Sequence, residues 1–331
     1  MGSRLARGVT ALLVSVVFVW LAFRDLDVDA VRASLAALGW LPMGVYLISL
    51  FAIHLLRTAR WHLMVRALHP EQPVFRSLRI SFLGFAAVFL VPLRLGELAR
   101  PWLLRQASDV PMSAGLGTVA VERTVDGLFM VLVLVLSVLW SGASDPILWT
   151  MGGVAGAIFG GAGAAFAWMA IAPRSAERFW RWVFAPLGAS WADRVIALLN
   201  GFVEGLSSLP NWSTRVTYLG CTLGYWGLNA WGMTYLAQAM GIELSLAQGC
   251  LIMALLVVGI MVPAGPGSIG TFHAPIIFGL TSLFGSATAP AQAYALVLHL
   301  LQVVHMVAVA LPFVSDLAAA RAKDTGGLPG G

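Results

Sequence analysis

Arg94, Glu97 and Arg100 recur at three-residue intervals in VPLRLGELARPWLLR (91–105), and Glu122, Arg123 and Asp126 crowd into VERTVD (121–126). Guanidinium groups and carboxylates in equal number sum to zero charge. Such a set can be buried as mutual ion pairs, or it can line a polar cavity for a charged group. Glu122 and Asp126 share a helix face at i, i+4, and Arg123 neighbours Asp126 at i, i+3. Arginine grips phosphate with two parallel hydrogen bonds, which lysine cannot do. All but one of the 20 basic residues are arginine, Lys323 being the exception.

The elements that must position these charges are apolar. Hydrophobic residues make up 59% of the 331-residue chain and charged residues 11%, with a mean hydropathy of +0.86. A soluble domain carries roughly a quarter charged residues, so the sequence reads as an all-α integral membrane protein. The net charge of +5 is scattered over the ends of apolar runs, which speaks against a nucleic-acid partner. About 20 apolar residues cross a bilayer as a helix. Six stretches are predicted as full spans: 8–23, 39–56, 113–140, 147–172, 214–239 and 290–314. The first follows Arg4 and Arg7 as a signal peptide would, but no small-residue cleavage site comes after it, so it is read as retained. Two further regions, 78–105 and 246–285, are long but interrupted by Pro and Gly.

Positively charged loops stay cytoplasmic. The arginines after spans two and four and at both chain ends therefore place both termini inside, in a cytoplasmic (inner) membrane. That assignment closes only if both interrupted regions are re-entrant helical hairpins, one entering from each face. The halves 1–140 and 147–314 then share the order span, span, hairpin, span in opposite orientations, an inverted-topology repeat. Pro92 and Gly96 in one hairpin match Pro266 and Gly270 in the other. Residues 1–318 form one transmembrane domain, 174–209 reads as amphipathic helices lying in the cytoplasmic interface, and 319–331 as a disordered tail. Trp40, Trp212 and Tyr218, near span ends, read as interfacial anchors.

At 1.5 Å per residue, Glu122 lies about 14 Å into its span, where an unpaired charge costs at least about 2.5–3.5 kcal/mol. The carboxylates of that span can face the guanidinium groups of the first hairpin, while Arg57 and Arg60 add positive charge at the cytoplasmic mouth. Two readings stand: a structural ion-pair network that docks the hairpin, or a cavity for a charged headgroup. In the second hairpin, MVPAGPGSIGTFHAP (261–275), Gly267 and Gly270 permit positive φ and close approach of another group. Ser268 lacks the glycine two residues earlier that a nucleophile elbow needs. His273 is either a titratable group or a structural one. His54, His62, His299 and His305 have no spacing that places two on one helix face, so no metal is expected. Cys221 and Cys250 read as small core residues. No nucleotide-binding loop is present, and no cofactor is expected.

The ordered set RTARWHLM (57–64), PLRLGELARPWLL (92–104), VERTVDG (121–127) and PAGPGSIGTF (263–272) resembles the flippase-like family, the transmembrane region of lysylphosphatidylglycerol synthases, over about 8–314. The resemblance implies a bacterial or archaeal eight-element membrane domain that moves a phospholipid or polyprenyl-linked headgroup between leaflets. Its partner would be a membrane lipid with an anionic or phosphate headgroup. It implicates Arg57, Arg60, Arg94, Glu97, Arg100, Glu122, Arg123 and Asp126. One departure is His273, where the family usually has an acidic residue. The chain ends without the synthases' soluble domain, so lysyl transfer, and enzymatic activity at large, are not expected. Two alternatives remain: a polyprenyl-phosphate glycosyltransferase using Asp25 and Asp27 of DLDVD (25–29), or a non-transporting accessory subunit. The bland reading of that loop is that Asp29 caps a helix beginning at Ala30.

Overall fold

A computed structural model describes residues 28–91, 96–141, 145–188, 190–191, 193–197, 199–200, 211–262 and 265–315, together with 16, 17 and 20. The predicted first span is mostly outside them, as are the tail, Asp25 and Asp27. Every long element is an α-helix: α1 (Val28–Ala37), α2 (Trp40–Leu68), α3 (Val74–Leu90), α4 (Ala99–Ala107), α5 (Met112–Ser141) and α6 (Pro146–Ile171). Then follow α7 (Pro173–Phe184), α8 (Trp212–Ala239), α9 (Leu246–Met261), α10 (His273–Phe278) and α11 (Thr288–Ala310). Asp29 stands inside the first turn of α1.

Several starts are written in the sequence. The Asp145 side chain accepts from the Ile147 N–H with Pro146 in the first turn of α6, and the Asn211 side chain accepts from the Thr214 N–H at the start of α8. Ser245 and Gln248 form a reciprocal capping box at the start of α9. Each device satisfies N–H groups that a helix start leaves unpaired.

Among the described residues, four helices are long and apolar enough to cross a membrane: Trp40–Leu68, Met112–Ser141, Pro146–Ile171 and Thr288–Phe313. They cover four of the predicted spans. The fifth, α8, has 28 residues but is less apolar, because Thr222, Tyr225, Trp226 and Asn229 interrupt its apolar sequence. α2 differs from expectation in a way that matters. The apolar run ends at Leu56, but the helix continues through Leu68, burying Arg60, Trp61, Met64 and Val65. Charge ended the hydropathy signal there without ending the helix.

Both interrupted regions double back on themselves. In the first, Arg76 donates to the Ala107 carbonyl at 3.2 Å. A β-carbon on Gly84 would overlap Arg100, and one on Gly96 would overlap the backbone of Ala87 and Val88. Partner numbers fall as residue numbers rise, which is the register of an antiparallel pair, α3 against α4. Gly96 answers why a helix breaker sits beside the charges: only a residue without a side chain lets the returning strand of chain touch α3. In the second, Gly259 lies against Pro275 and Gly279 against Ile252 and Leu255, so α9 and α10 are likewise antiparallel. The tip between them holds three left-handed residues, Gly267 (φ 73°), Ser268 (φ 52°) and Gly270 (φ 90°).

The main core joins α2, α8, α9, α10 and α11 through Tyr46, Leu50, Met233, Ile252, Tyr294 and Leu298. A second cluster gathers Trp61, Met64, Leu104, Val121 and Tyr218. α6 buries only Leu148, Gly152 and Met169, with α5 and α7 as its main neighbours. α7 carries exposed Trp182 and Phe179 between arginines and gives way to a tight turn at Ala185–Leu187, the break expected at Pro186.

Candidate functional site

The charges converge where α2, α4, α5 and α8 meet. Arg60, 1% exposed, pairs both oxygens of Asp126 through its two terminal nitrogens, with Nη2–Oδ2 at 3.0 Å. The same Nη2 reaches Glu122 at 3.3 Å, and Nη1 donates to the Thr222 hydroxyl at 3.2 Å. Arg100 holds the other oxygen of Glu122 at 2.6 Å. Tyr225 donates its phenol O–H to Asp126, and the Trp226 indole donates to the same carboxylate at 3.3 Å. Arg123 and Glu97 are looser, at 3.7 Å, and more exposed. Pairing of this kind offsets a desolvation penalty that would expel either charge alone.

Helix geometry explains the arrangement. Glu122 and Asp126, one turn apart on α5, present carboxylates to the same side. Arg60 enters from α2 between them. Arg100 enters from α4, its side chain lying across Gly84 and its guanidinium over Trp61 and Phe85, 5.4 and 5.2 Å from the ring centroids. The Trp61 indole donates to the Thr118 hydroxyl at 3.1 Å, which fixes α2 on α5 one turn further.

Two expectations need correction. Arg60 was placed at a cytoplasmic mouth; it is instead the hub of the network, because α2 runs on past the end of its apolar run. Tyr218 was read as an interfacial anchor; it is 1% exposed, with the Arg60 guanidinium 5.2 Å from its ring centroid. Trp40 and Trp212, 88% and 76% exposed, do stand at helix starts.

Beside the network lies a cavity of about 490 Å³. Arg57, Phe85, Phe89, Glu97, Arg123 and Asp126 line it from the first half of the chain, and Tyr225, Trp226, Met253, Leu256, Phe272 and Gln302 from the second. Both hairpins thus form its wall, and most of the rest is hydrocarbon. Arg57 stacks over Phe85 at 4.0 Å, a cation–π seat, and no carboxylate of the described residues pairs with it. Among the described residues, Arg57, Arg60, Arg100 and Arg123 face Glu97, Glu122 and Asp126, leaving one positive charge over. The arrangement can hold an anion next to apolar chains. Arg94 lies outside the described residues.

The tip of the second hairpin contributes Phe272 to the cavity, while Gly267, Ser268, Gly270 and His273, expected at the site, are not among the residues that line it. His273 is buried and meets His299 of α11, Nε2 to Nδ1, at 3.2 Å. His54 and His305 also meet across two helices, but by ring packing alone, with centroids 4.9 Å apart. Testing spacing within single helices misses such pairs, since each is made between two elements. Tyr225, Trp226 and Thr222 were missed as well. Their signal was available, as hydrogen-bonding residues within about one helical turn of each other, far from the ends of a predicted span.

Compared with known proteins, residues 8–310 match the family model described as the lysylphosphatidylglycerol synthase TM region. No curated protein matches the sequence.

Proposed function

The chain belongs to the lysylphosphatidylglycerol synthase transmembrane-region family, and from that premise we propose that it is a lipid translocase. It would carry a phospholipid or polyprenyl-linked headgroup between leaflets of a bacterial or archaeal inner membrane without covalent chemistry. In this reading the two hairpins are re-entrant, one from each face, within an inverted repeat whose termini are both cytoplasmic. The headgroup phosphate sits on Arg57, and the acyl or prenyl chains stay in the bilayer.

One observation carries the reading: a cavity walled by both hairpins in which Arg57 lies over Phe85 instead of against a carboxylate. A network serving structure alone would have paired that charge, as it pairs Arg60 and Arg100. Lipid chains need not enter the protein, since α6, which lends Ala155 and Phe159 to the cavity wall, exposes most of its surface.

The test is translocation in proteoliposomes, read by dithionite quenching of a nitrobenzoxadiazole-labelled anionic phospholipid. Arg57→Gln, Arg94→Ala and Glu97→Gln are expected to abolish transport while leaving a monodisperse, folded protein. Wild-type rates in Arg57→Gln and Glu97→Gln would overturn the assignment.

A further inference from the structure

The tip of the second hairpin is held by two histidines, and geometry fixes where their protons are. The Gly270 N–H donates to His273 Nδ1 at 3.3 Å, so that nitrogen is an acceptor and a neutral His273 carries its proton on Nε2. Nε2 faces His299 Nδ1 at 3.2 Å. His299 Nε2 faces the Gly267 carbonyl at 2.9 Å, an oxygen that can only accept, so His299 carries its proton on Nε2 and offers Nδ1 as acceptor. Every link is then satisfied in one direction: Gly270 to His273 to His299 to Gly267. The chain starts and ends on the same loop, whose residues 267, 268 and 270 are the left-handed ones.

We propose that the His273–His299 pair is a proton-binding site that clamps this tip while neutral and releases it on taking up a proton, thereby gating the cavity. A proton added at His273 Nδ1 meets the Gly270 N–H; one added at His299 Nδ1 meets the His273 N–H. Either way a link breaks and a charge appears between apolar rings. The closed clamp has no place for a proton that the open tip can bind, so by linkage acid favours opening.

The surroundings point the same way. Phe89 from α3 and Phe272 from the tip pack on the His299 ring, at centroid distances of 5.4 and 4.6 Å, and both also line the cavity. α9 carries no Asp, Glu, Lys, Arg or His, and the arginines of α3, Arg76 and Arg79, stand in its first two turns, far from Phe89. On α11 the other titratable groups are Tyr294, bonded to the Met233 carbonyl, and His305, facing His54 of α2. Among the described residues, the carboxylates nearer the cavity centre face arginine. Gating of transport rests on the translocase reading; the clamp itself does not.

Two readouts on the full-length protein in liposomes separate them. The first is the mobility of a nitroxide attached at Ile269→Cys, an exposed position in the tip, in a Cys221→Ala, Cys250→Ala background. It is expected to rise several-fold between about pH 7 and 4, below the ordinary imidazole range, because the clamp must open before it takes up the proton. In His299→Gln, which keeps a neutral acceptor and donor, it is expected to stay flat. The second readout is lipid translocation over the same range, with a pH dependence expected in the wild type and lost in His299→Gln. A nitroxide signal indifferent to pH in the otherwise unmodified tip would overturn the clamp, as would an unchanged pH response in His299→Gln. A pH-dependent nitroxide signal without any translocation would uphold the clamp and overturn the translocase.

Discussion

Arg60→Met removes the cation that holds both Asp126 oxygens and one Glu122 oxygen. Glu122 keeps Arg100 at 2.6 Å. Asp126 keeps only neutral donors, the Tyr225 phenol and the Trp226 indole, in a position that is 6% exposed. Orphaning a buried charge in this way costs about 3–5 kcal/mol. At roughly 2–4 °C per kcal/mol, the thermal midpoint in detergent should fall by roughly 6–20 °C. Asp126→Leu should cost as much or somewhat less, because Arg60 then keeps only Glu122 at 3.3 Å and the Thr222 hydroxyl. Combining both changes removes the pair and replaces it with hydrocarbon, which is often nearly neutral, so the double variant should recover half or more of either single loss. The double-mutant cycle on purified protein reads this directly. If Arg60→Met unfolds within about 1 kcal/mol of wild type, or if the two losses simply add, Arg60 and Asp126 are not the buried pair derived above.

Three further outcomes follow from the same geometry. Gly96→Ala should destabilise by about 1–3 kcal/mol, because its β-carbon overlaps the Ala87 backbone and close-packed sites yield poorly; glycine-to-alanine elsewhere in helices stabilises by up to about 1 kcal/mol, so the sign of the midpoint shift is the test. Tyr225→Phe deletes the phenol's bond to Asp126 and should cost about 1.5–3 kcal/mol, the range for a bond to a charged group, in the same thermal assay. The Arg181–Asp193 pair is short, at 2.7 Å, but more than half exposed on both sides. Replacing either residue with alanine should shift stability by no more than about 0.5 kcal/mol, so a larger drop would mean this segment docks more tightly than its exposure indicates.

How much of this could be read from residues alone depended on whether the signal was local. The doubling back of 78–105 and 246–285 was legible because Pro and Gly interrupt apolar runs too long for one crossing and too broken for a straight helix. Glu122 and Asp126 as a shared face followed from helical spacing. Arg60 did not, because its partner lies 66 positions away and the hydropathy of α2 falls just where the helix goes on. Tyr218 was misread for the same reason: near a helix start an aromatic is usually an anchor, and only the arrival of Arg60 from another helix makes it part of the core. The His273–His299 contact, between residues 26 apart on different elements, leaves no periodic trace at all.

The network around Arg60 also limits what can move. Its ties run from α4 through Glu122 and Asp126 of α5 to α2, and on to α8 through Thr222 and Tyr225. Sliding any one of these four helices past the others would expose several ions to hydrocarbon at once, so they must travel as a single block. In the translocase reading, any opening of the chamber therefore has to come from parts that carry none of these rivets, such as the second hairpin, α11 and α6.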